Sequence, residues 1–489
     1  MIGAYAKARA VDAGVAQPIA TVAHLHVSDR PLVFVPLALA GEANAPLAAL
    51  VGTAPDAPTL LVVAQPRDRA LRFGFAADLA RIVLDYLATF PVEPAPDEES
   101  APSAEDGPQL LVPNRAGLGF VQLLGRSTRF RRPDGPYPVA PSVPVLGRWL
   151  TWFTERAEQP GSSTALAATE ALALHWATGQ SAFEDNNLAA LLGWIEPPPG
   201  LTGAQAAREA EDPLRWPPAG PATDPLFDNE VLGPAIRAYS DAAPGSAAQR
   251  RAVTVLEQVL GSQLEPTWRL MWRTLDRLAT LPPGASVAGR WADDCTAYAR
   301  YSQYLADDGR PQARRDGAVA AARRLAQLER AQATYDAARS FDDPLVMAEY
   351  RVTGEAFAGT VVAVDATRRV TNSKGNLVTR PLVTVHTDDP VHLAVGTTLA
   401  APTRPKQSGT VLDVAGDLVT VELDKGFGRA KTPLPGVLPE PGEVLTYSSV
   451  LASAIRGPAL PAADETPWTH GGPPQPYVPT DDDAGEIWE

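Results

Sequence analysis

Thiols, lysines and long apolar runs are what this chain has least of. Its 489 residues include one cysteine, Cys295, and five lysines: Lys7, Lys374, Lys406, Lys425 and Lys431. A single thiol excludes an intramolecular disulfide and any zinc site built on several thiolates. With so few lysines, arginine is the default cation, so an Arg-rich stretch is a weak binding signal. The same bias, with abundant Ala, points to a GC-rich bacterial gene. No run approaches ~18 consecutive apolar residues, the length needed to span a bilayer. Residues 1–20 lack a charged segment followed by an apolar core, so no signal peptide is expected. The G-x-x-x-x-G-K-[ST] phosphate loop and the G-x-S-x-G nucleophile elbow are absent, and Gly117-Leu118-Gly119 is too short for a dinucleotide fingerprint. A net charge of −15 argues against a protein that coats nucleic acid or a membrane surface. The expectation is a soluble, cytoplasmic protein with no cofactor.

What is present is clearest between Tyr350 and Leu451, where a pattern occurs twice. Gly359-Thr360-Val361-Val362-Ala363-Val364-Asp365 leads to Leu382-Val383-Thr384-Val385-His386, and Gly409-Thr410-Val411-Leu412-Asp413-Val414 leads to Leu418-Val419-Thr420-Val421-Glu422-Leu423. Period-2 alternation bounded by Gly, Asn and Asp marks strands with one buried face. Two such hairpins predict a small antiparallel β-barrel, because closure removes exposed edges. The rhythm resembles the small barrels that accompany superfamily 1 helicases and translation factors. It covers about a fifth of the chain, and no helicase or GTPase motif accompanies it.

Forty-nine prolines, clustered between structured stretches, divide the rest. The predicted fold class is multidomain α+β: a small N-terminal α/β unit, a mostly helical centre and the C-terminal barrel. Residues 1–132 form the α/β unit, with strands at 19–27, 32–39 and 59–64, a helical turn at 45–51 and an amphipathic helix at 73–90. A disordered acidic linker is expected near 91–109. Residues 145–349 read as helices, including 164–178, 247–260 and 264–281, with a Pro-rich insertion near 197–225. Barrel residues 350–451 precede a Pro-rich acidic tail, 452–489, that ends in an apolar Ile487-Trp488 pair.

Candidate sites are scattered. Arg126, Arg129, Arg131 and Arg132 surround Phe130, whereas Arg368, Arg369, Lys374, Arg404, Lys406, Lys425, Arg429 and Lys431 fall in barrel loops that a closed barrel can bring to one rim. Cations on a rim can hold phosphates while strand residues touch bases. Residues 351–460 carry eleven basic and ten acidic side chains, so that region has no net positive field. Trp268 and Trp272, one helical turn apart, are core residues or anchors for a partner. His386, Asp388, Asp389 and His392 are the densest set of metal-ligand types, although Asp388-Asp389-Pro390 also reads as a turn. Cys295 beside Asp293 and Asp294 reads as a structural thiol, and Asp343 before Pro344 as a helix N-cap.

These features point to a non-catalytic adaptor or scaffold. It would be an accessory subunit of a bacterial nucleic-acid-processing or defence complex, with a protein partner on its helices and a partner or nucleic acid on its barrel. Two alternatives stand beside it. One is an enzyme using His24, His26, Asp29, Arg67 and Asp68 of the α/β unit, where sites often follow strand ends. The other is a structural component of a phage-like assembly.

Overall fold

The computed structural model describes residues 2–42, 45–95, 100–213, 215–218, 220–428, 433–434 and 436–451. They divide into two compact units, one of residues 5–19 and 23–325, the other of residues 2–4, 20–22 and 326–451. No helix among the described residues is long and apolar enough to cross a membrane.

In chain order, helix α1 (Ile2–Ala13) and strand β1 (Gln17–Pro18) precede β2 (Leu32–Ala38), β3 (Pro46–Gly52), β4 (Thr59–Val62) and α2 (Arg69–Leu87). Next come β5 (Leu110–Val112), α3 (Arg115–Thr128), α4 (Ser142–Ala157), β6 (Ala165–Ala167), α5 (Ala168–Ala173) and β7 (Trp176–Ala177). Helices α6 (Leu188–Ile195), α7 (Gly203–Glu211), α8 (Pro225–Phe227), α9 (Gly233–Asp241), α10 (Ala247–Leu278) and α11 (Val287–Ala306) follow.

The larger unit is built on a mixed sheet of order β4-β3-β2-β5-β6. Every residue of β2 is buried, as expected of a continuously apolar strand covered on both faces. On one face Leu32, Phe34, Ala49 and Val51 pack with α2, α3 and α4. On the other, Val33, Val35, Ala48 and Leu50 pack with α6, α7, α9 and α10. Pro36 is tolerated in a central strand because β5 pairs only Leu32 and Val33 of β2. Beyond that point Pro36 faces the Gly220 segment, where an added Cβ would lie 2.9 Å from the Pro36 carbonyl oxygen, so the missing N–H costs no ladder bond to β3. Strands β2, β4, β5 and β6 run in the same direction, so α2, α3 and α5 all begin at one edge of the sheet. Asp68 and Asn114 cap the first two of these helices, accepting from the Leu71 and Gly117 amides.

Several local expectations change. Residues 19–27 are not a strand; only Ala23 makes an isolated bridge, to Pro283. Residues 46–52 are a buried strand rather than a helical turn, and their alternation is invisible because both faces are covered. The helix expected at 164–178 is β6, α5 and β7, and β6 extends the sheet of the N-terminal unit. The two helices expected at 247–281 are one, α10, with Pro266 inside it. Within the Pro-rich insertion, α7 carries a Thr202–Gln205 capping box. In the stretch expected to be a disordered linker, Glu93 pairs with Ser103 and Gln109 is fully buried. Residues 96–99 of that stretch lie outside the described residues, as do the tail and Ile487-Trp488.

In the second unit, α12 (Ala318–Asp342) and α13 (Pro344–Thr353) lead into β8 (Ala356–Asp365), the small hairpin β9 (Arg369–Thr371) and β10 (Leu377–Thr379), and β11 (Leu382–His386). Then come β12 (Thr398–Ala401), β13 (Arg404–Ala415), β14 (Leu418–Lys425) and β15 (Val444–Ser448). Asp343 is the N-cap of α13, accepting from the Leu345 amide at 2.9 Å, and it also binds the Thr21 backbone and hydroxyl. Six strands close an antiparallel barrel in the order β11-β14-β13-β12-β15-β8. The two sequence copies meet where β11 pairs with β14, Val383 opposite Val421 and Val385 opposite Val419. These four valines fill the barrel with Phe357, Leu399, Leu445 and Tyr447. The glycines that lead the copies sit at close strand approaches. A Cβ on Gly359 would lie 2.1 Å from the His386 carbonyl oxygen, and one on Gly409 2.8 Å from that of Glu422.

Candidate functional site

Strand register sorts the basic residues of the barrel. Leu382 lies opposite both Asp365 and Glu422, and Ser408 lies opposite Lys425, so these residues mark one end of the barrel. The β9–β10 hairpin grows from that end. Its tip is an Asx turn in which Asn372 Oδ1 accepts the Lys374 and Asn376 amides, both at 3.0 Å, and Gly375 adopts φ +78°. Arg368 and Arg380 stand at its base. Arg368 is ion-paired with Glu422, and Arg380 lies 3.9 Å from Glu422 and 3.6 Å from Asp424. Arg404 clamps the segment before β15, binding both Glu443 oxygens and the Val437 carbonyl. These three guanidiniums are each matched by a carboxylate of the barrel itself.

Four exposed cations remain. Arg369, Lys374, Lys406 and Lys425 form no ion pair among the described residues. All four belong to the same end: Lys374 at the hairpin tip, Arg369 on its first strand, Lys425 closing β14. Lys406 lies against the turn after β14, where a Cβ on Gly426 would be 2.4 Å from its carbonyl oxygen. Asp365 shares this rim, its carboxyl held below the usual range chiefly by the Thr367 amide and hydroxyl. Arg429 and Lys431 lie outside the described residues.

Most of the Arg126–Arg132 run is tied to its own surroundings. Arg129 is buried, and its guanidinium donates to the carbonyls of Gln312 at 2.8 Å and Ala313 at 3.0 Å. Arg131 donates to the Ser127 carbonyl, and Arg132 pairs with Asp134. Only Arg126 is exposed without an ion pair among the described residues, so the run fastens the end of α3 instead of presenting a patch. Trp268 is likewise core, 3% exposed with Nε1 donating to the Pro55 carbonyl, and cannot anchor a partner. Trp272, edge-on to it at 5.7 Å, lines a cavity described below.

The four metal-ligand types of the barrel do not converge. His386 Nε2 contacts Asp417, and Asp389 takes a bidentate bond from Arg351 and one from the Ala358 amide. His392 Nδ1 lies 3.0 Å from the Thr353 carbonyl, and no described group of three His, Cys, Asp or Glu could hold an ion. Burial pushes the Asp389 carboxyl up, but the Arg351 and Ala358 bonds outweigh it and leave it below its ordinary value.

In the α/β unit, His24 and His26 do not act as a pair. His24 is fully buried against His175, whose Nε2 accepts the His24 amide at 3.0 Å while Nδ1 faces the Ala171 carbonyl. His26 stacks on Trp291 at 4.1 Å, and burial lowers its pKa. Arg67 and Asp68 follow β4 at one edge of the sheet, and Asp29 precedes β2 at the other. Asp68 is a helix cap and Arg67 is paired with Glu42 at 2.6 Å. Cys295 is a buried thiol pushed up to about 12 by burial and by Asp106 and Asp294.

Two concavities each join residues far apart in sequence, and three of the α/β candidates line them, Arg67 one and His26 and Asp29 the other. A groove of about 550 Å³ opens at the edge where α2 begins, between the segment Gln65–Arg67 and helix α9. A second, of about 400 Å³, lies at the opposite edge beside His26, Asp29, Trp272 and Asp276. Compared with models of known families, with curated proteins and with solved structures, the chain matches none. Function therefore has to be argued from these residues.

Proposed function

We propose that this chain is an adaptor that works by holding other molecules, with the cationic end of its barrel contacting nucleic acid. The observation that carries this reading is the sorting of charge on that rim. Arg368, Arg380 and Arg404 are neutralised by Glu422, Asp424 and Glu443, whereas Arg369, Lys374, Lys406 and Lys425 project with no such partner among the described residues. Lysines are scarce in this chain, and three of the five occupy this one end. Point cations on a hairpin and adjacent strand ends suit a phosphate backbone, which positions without reading sequence. A protein partner for the helical region completes the adaptor reading.

Fluorescence anisotropy with a labelled single-stranded and a labelled duplex oligonucleotide tests it. Binding at about 50 mM salt should weaken as salt rises, with a log–log slope of roughly −2 to −4 for three or four neutralised phosphates, steeper on duplex than on single strand. Exchanging Lys374, Lys406 and Lys425 together for Glu should abolish it without changing the melting temperature. No binding to either oligonucleotide at low salt would remove the nucleic-acid half of the proposal.

A further inference from the structure

The groove at the α2 edge belongs to none of the above. It lies beside the ends of β2 and β4, on the side where strands of an α/β sheet hand over to helices and where ligands of such sheets bind. Its volume, about 550 Å³, falls within the range of about 300–1,000 Å³ seen for small-molecule sites. Leu39, Pro66 and Ile236 give it apolar walls, and Gln65, which donates to Ser240 at 3.0 Å, ties its two sides together.

Three polar groups define what would fit. Arg67 and Arg237 both line the groove. Arg67 is held by Glu42, and Arg237 has no ion pair among the described residues. Asp228 lines it too, and its buried Oδ1 has no hydrogen-bond partner among the described residues. An ionised carboxylate can only accept, so a ligand group that meets Asp228 must be a donor. Asp228 also opens a π-helical turn, Asp228–Leu232, a distortion that often marks functional sites. Two guanidiniums call for an oxyanion with several acceptor oxygens.

We propose that this groove binds a phosphorylated, hydroxyl-bearing small molecule of the ribose phosphate class, free or within a nucleotide. The phosphate sits on Arg67 and Arg237, a sugar hydroxyl donates to the groove-facing side of the Asp228 carboxylate, and the carbon skeleton lies on Leu39 and Ile236.

Calorimetric titration of the full chain with ribose 5-phosphate, AMP, ribose and inorganic phosphate tests it. Ribose 5-phosphate and AMP should bind roughly tenfold or more tighter than ribose or inorganic phosphate. Asp228→Asn keeps the side chain's shape. Losing the carboxylate's repulsion should raise the inorganic phosphate affinity, and the weaker amide acceptor should narrow the ribose 5-phosphate advantage severalfold. Arg237→Ala changes an exposed residue and should weaken both. Melting temperatures of the variants, read alongside, exclude misfolding. The proposal is overturned if no phosphate ester binds at about 10 mM, or if ribose 5-phosphate binds wild type and both variants equally. It also fails if inorganic phosphate binds as tightly as ribose 5-phosphate, which would mark an adventitious ion only.

Discussion

Burial decides what each charged residue does here. Asp294 is 2% exposed and satisfies three groups at once: Arg156, the Ser162 hydroxyl and the Ser163 amide, the latter two at 2.8 and 2.7 Å. Asp294→Ala leaves the Arg156 guanidinium without its carboxylate, so urea unfolding should report a loss of about 3–5 kcal/mol. The exposed Arg67–Glu42 pair is worth about 0–1 kcal/mol by comparison, although its geometry is nearly as short. Asp389 gives a pH signature. Its folded pKa lies below its ordinary value of 3.8. Its stabilisation is therefore complete above that value and is lost as pH falls through the lower, folded one. Asp389→Asn should cost the barrel about 1–2 kcal/mol at pH 7, discounted for the partly exposed Arg351. The difference from wild type should shrink to nothing in strong acid, read as melting temperature against pH from 7 to 2.

At the scale of elements, the two Gly-led strands leave no room for a side chain at their leading glycines. Gly359→Ala places a methyl against the backbone of β11 at His386 and against the fully buried Val385 side chain. It should cost about 3 kcal/mol, the upper end for overpacking, visible as a lower thermal midpoint for the barrel. Gly119 of α3 has nothing within 4 Å of its would-be Cβ, so Gly119→Ala should be neutral or stabilising by up to about 1 kcal/mol. The same contrast explains what could be read from the sequence. The barrel strands announce themselves because only one face is buried: β14 alternates from Leu418 to Lys425. Strand β3 hides because Ala48 and Ala49 are both fully buried, on opposite faces. Strand β6 hides because three residues carry no period. Loop cations were legible, but their pairing was not, since Arg368 meets Glu422 only through strand register 54 residues away. Of the groove only Arg67, placed after a strand end, was legible: Arg67 and Asp228 come together through the sheet edge and carry no shared motif.

For the whole molecule, the distribution of cores sets how it melts. The two large clusters lie on opposite faces of one sheet and share its strands, Leu32 and Phe34 serving one and Val33 and Val35 the other. Neither face can stay packed once the strands between them separate, so this unit should unfold as one. The barrel has its own core, and none of its buried members belongs to the other clusters. Differential scanning calorimetry of the full chain should therefore show two transitions. Val421→Ala removes two methyl-sized volumes from a fully buried position of the barrel. It should cost about 2 kcal/mol, lowering one midpoint by about 10 °C for a unit near 100 residues. Leu111→Ala, in the centre of the sheet, should cost about 3–4 kcal/mol and shift only the other transition. If both substitutions move a single common transition, the barrel and the sheet unfold as one cooperative body. Loss of the barrel would then carry the groove beside α9 with it.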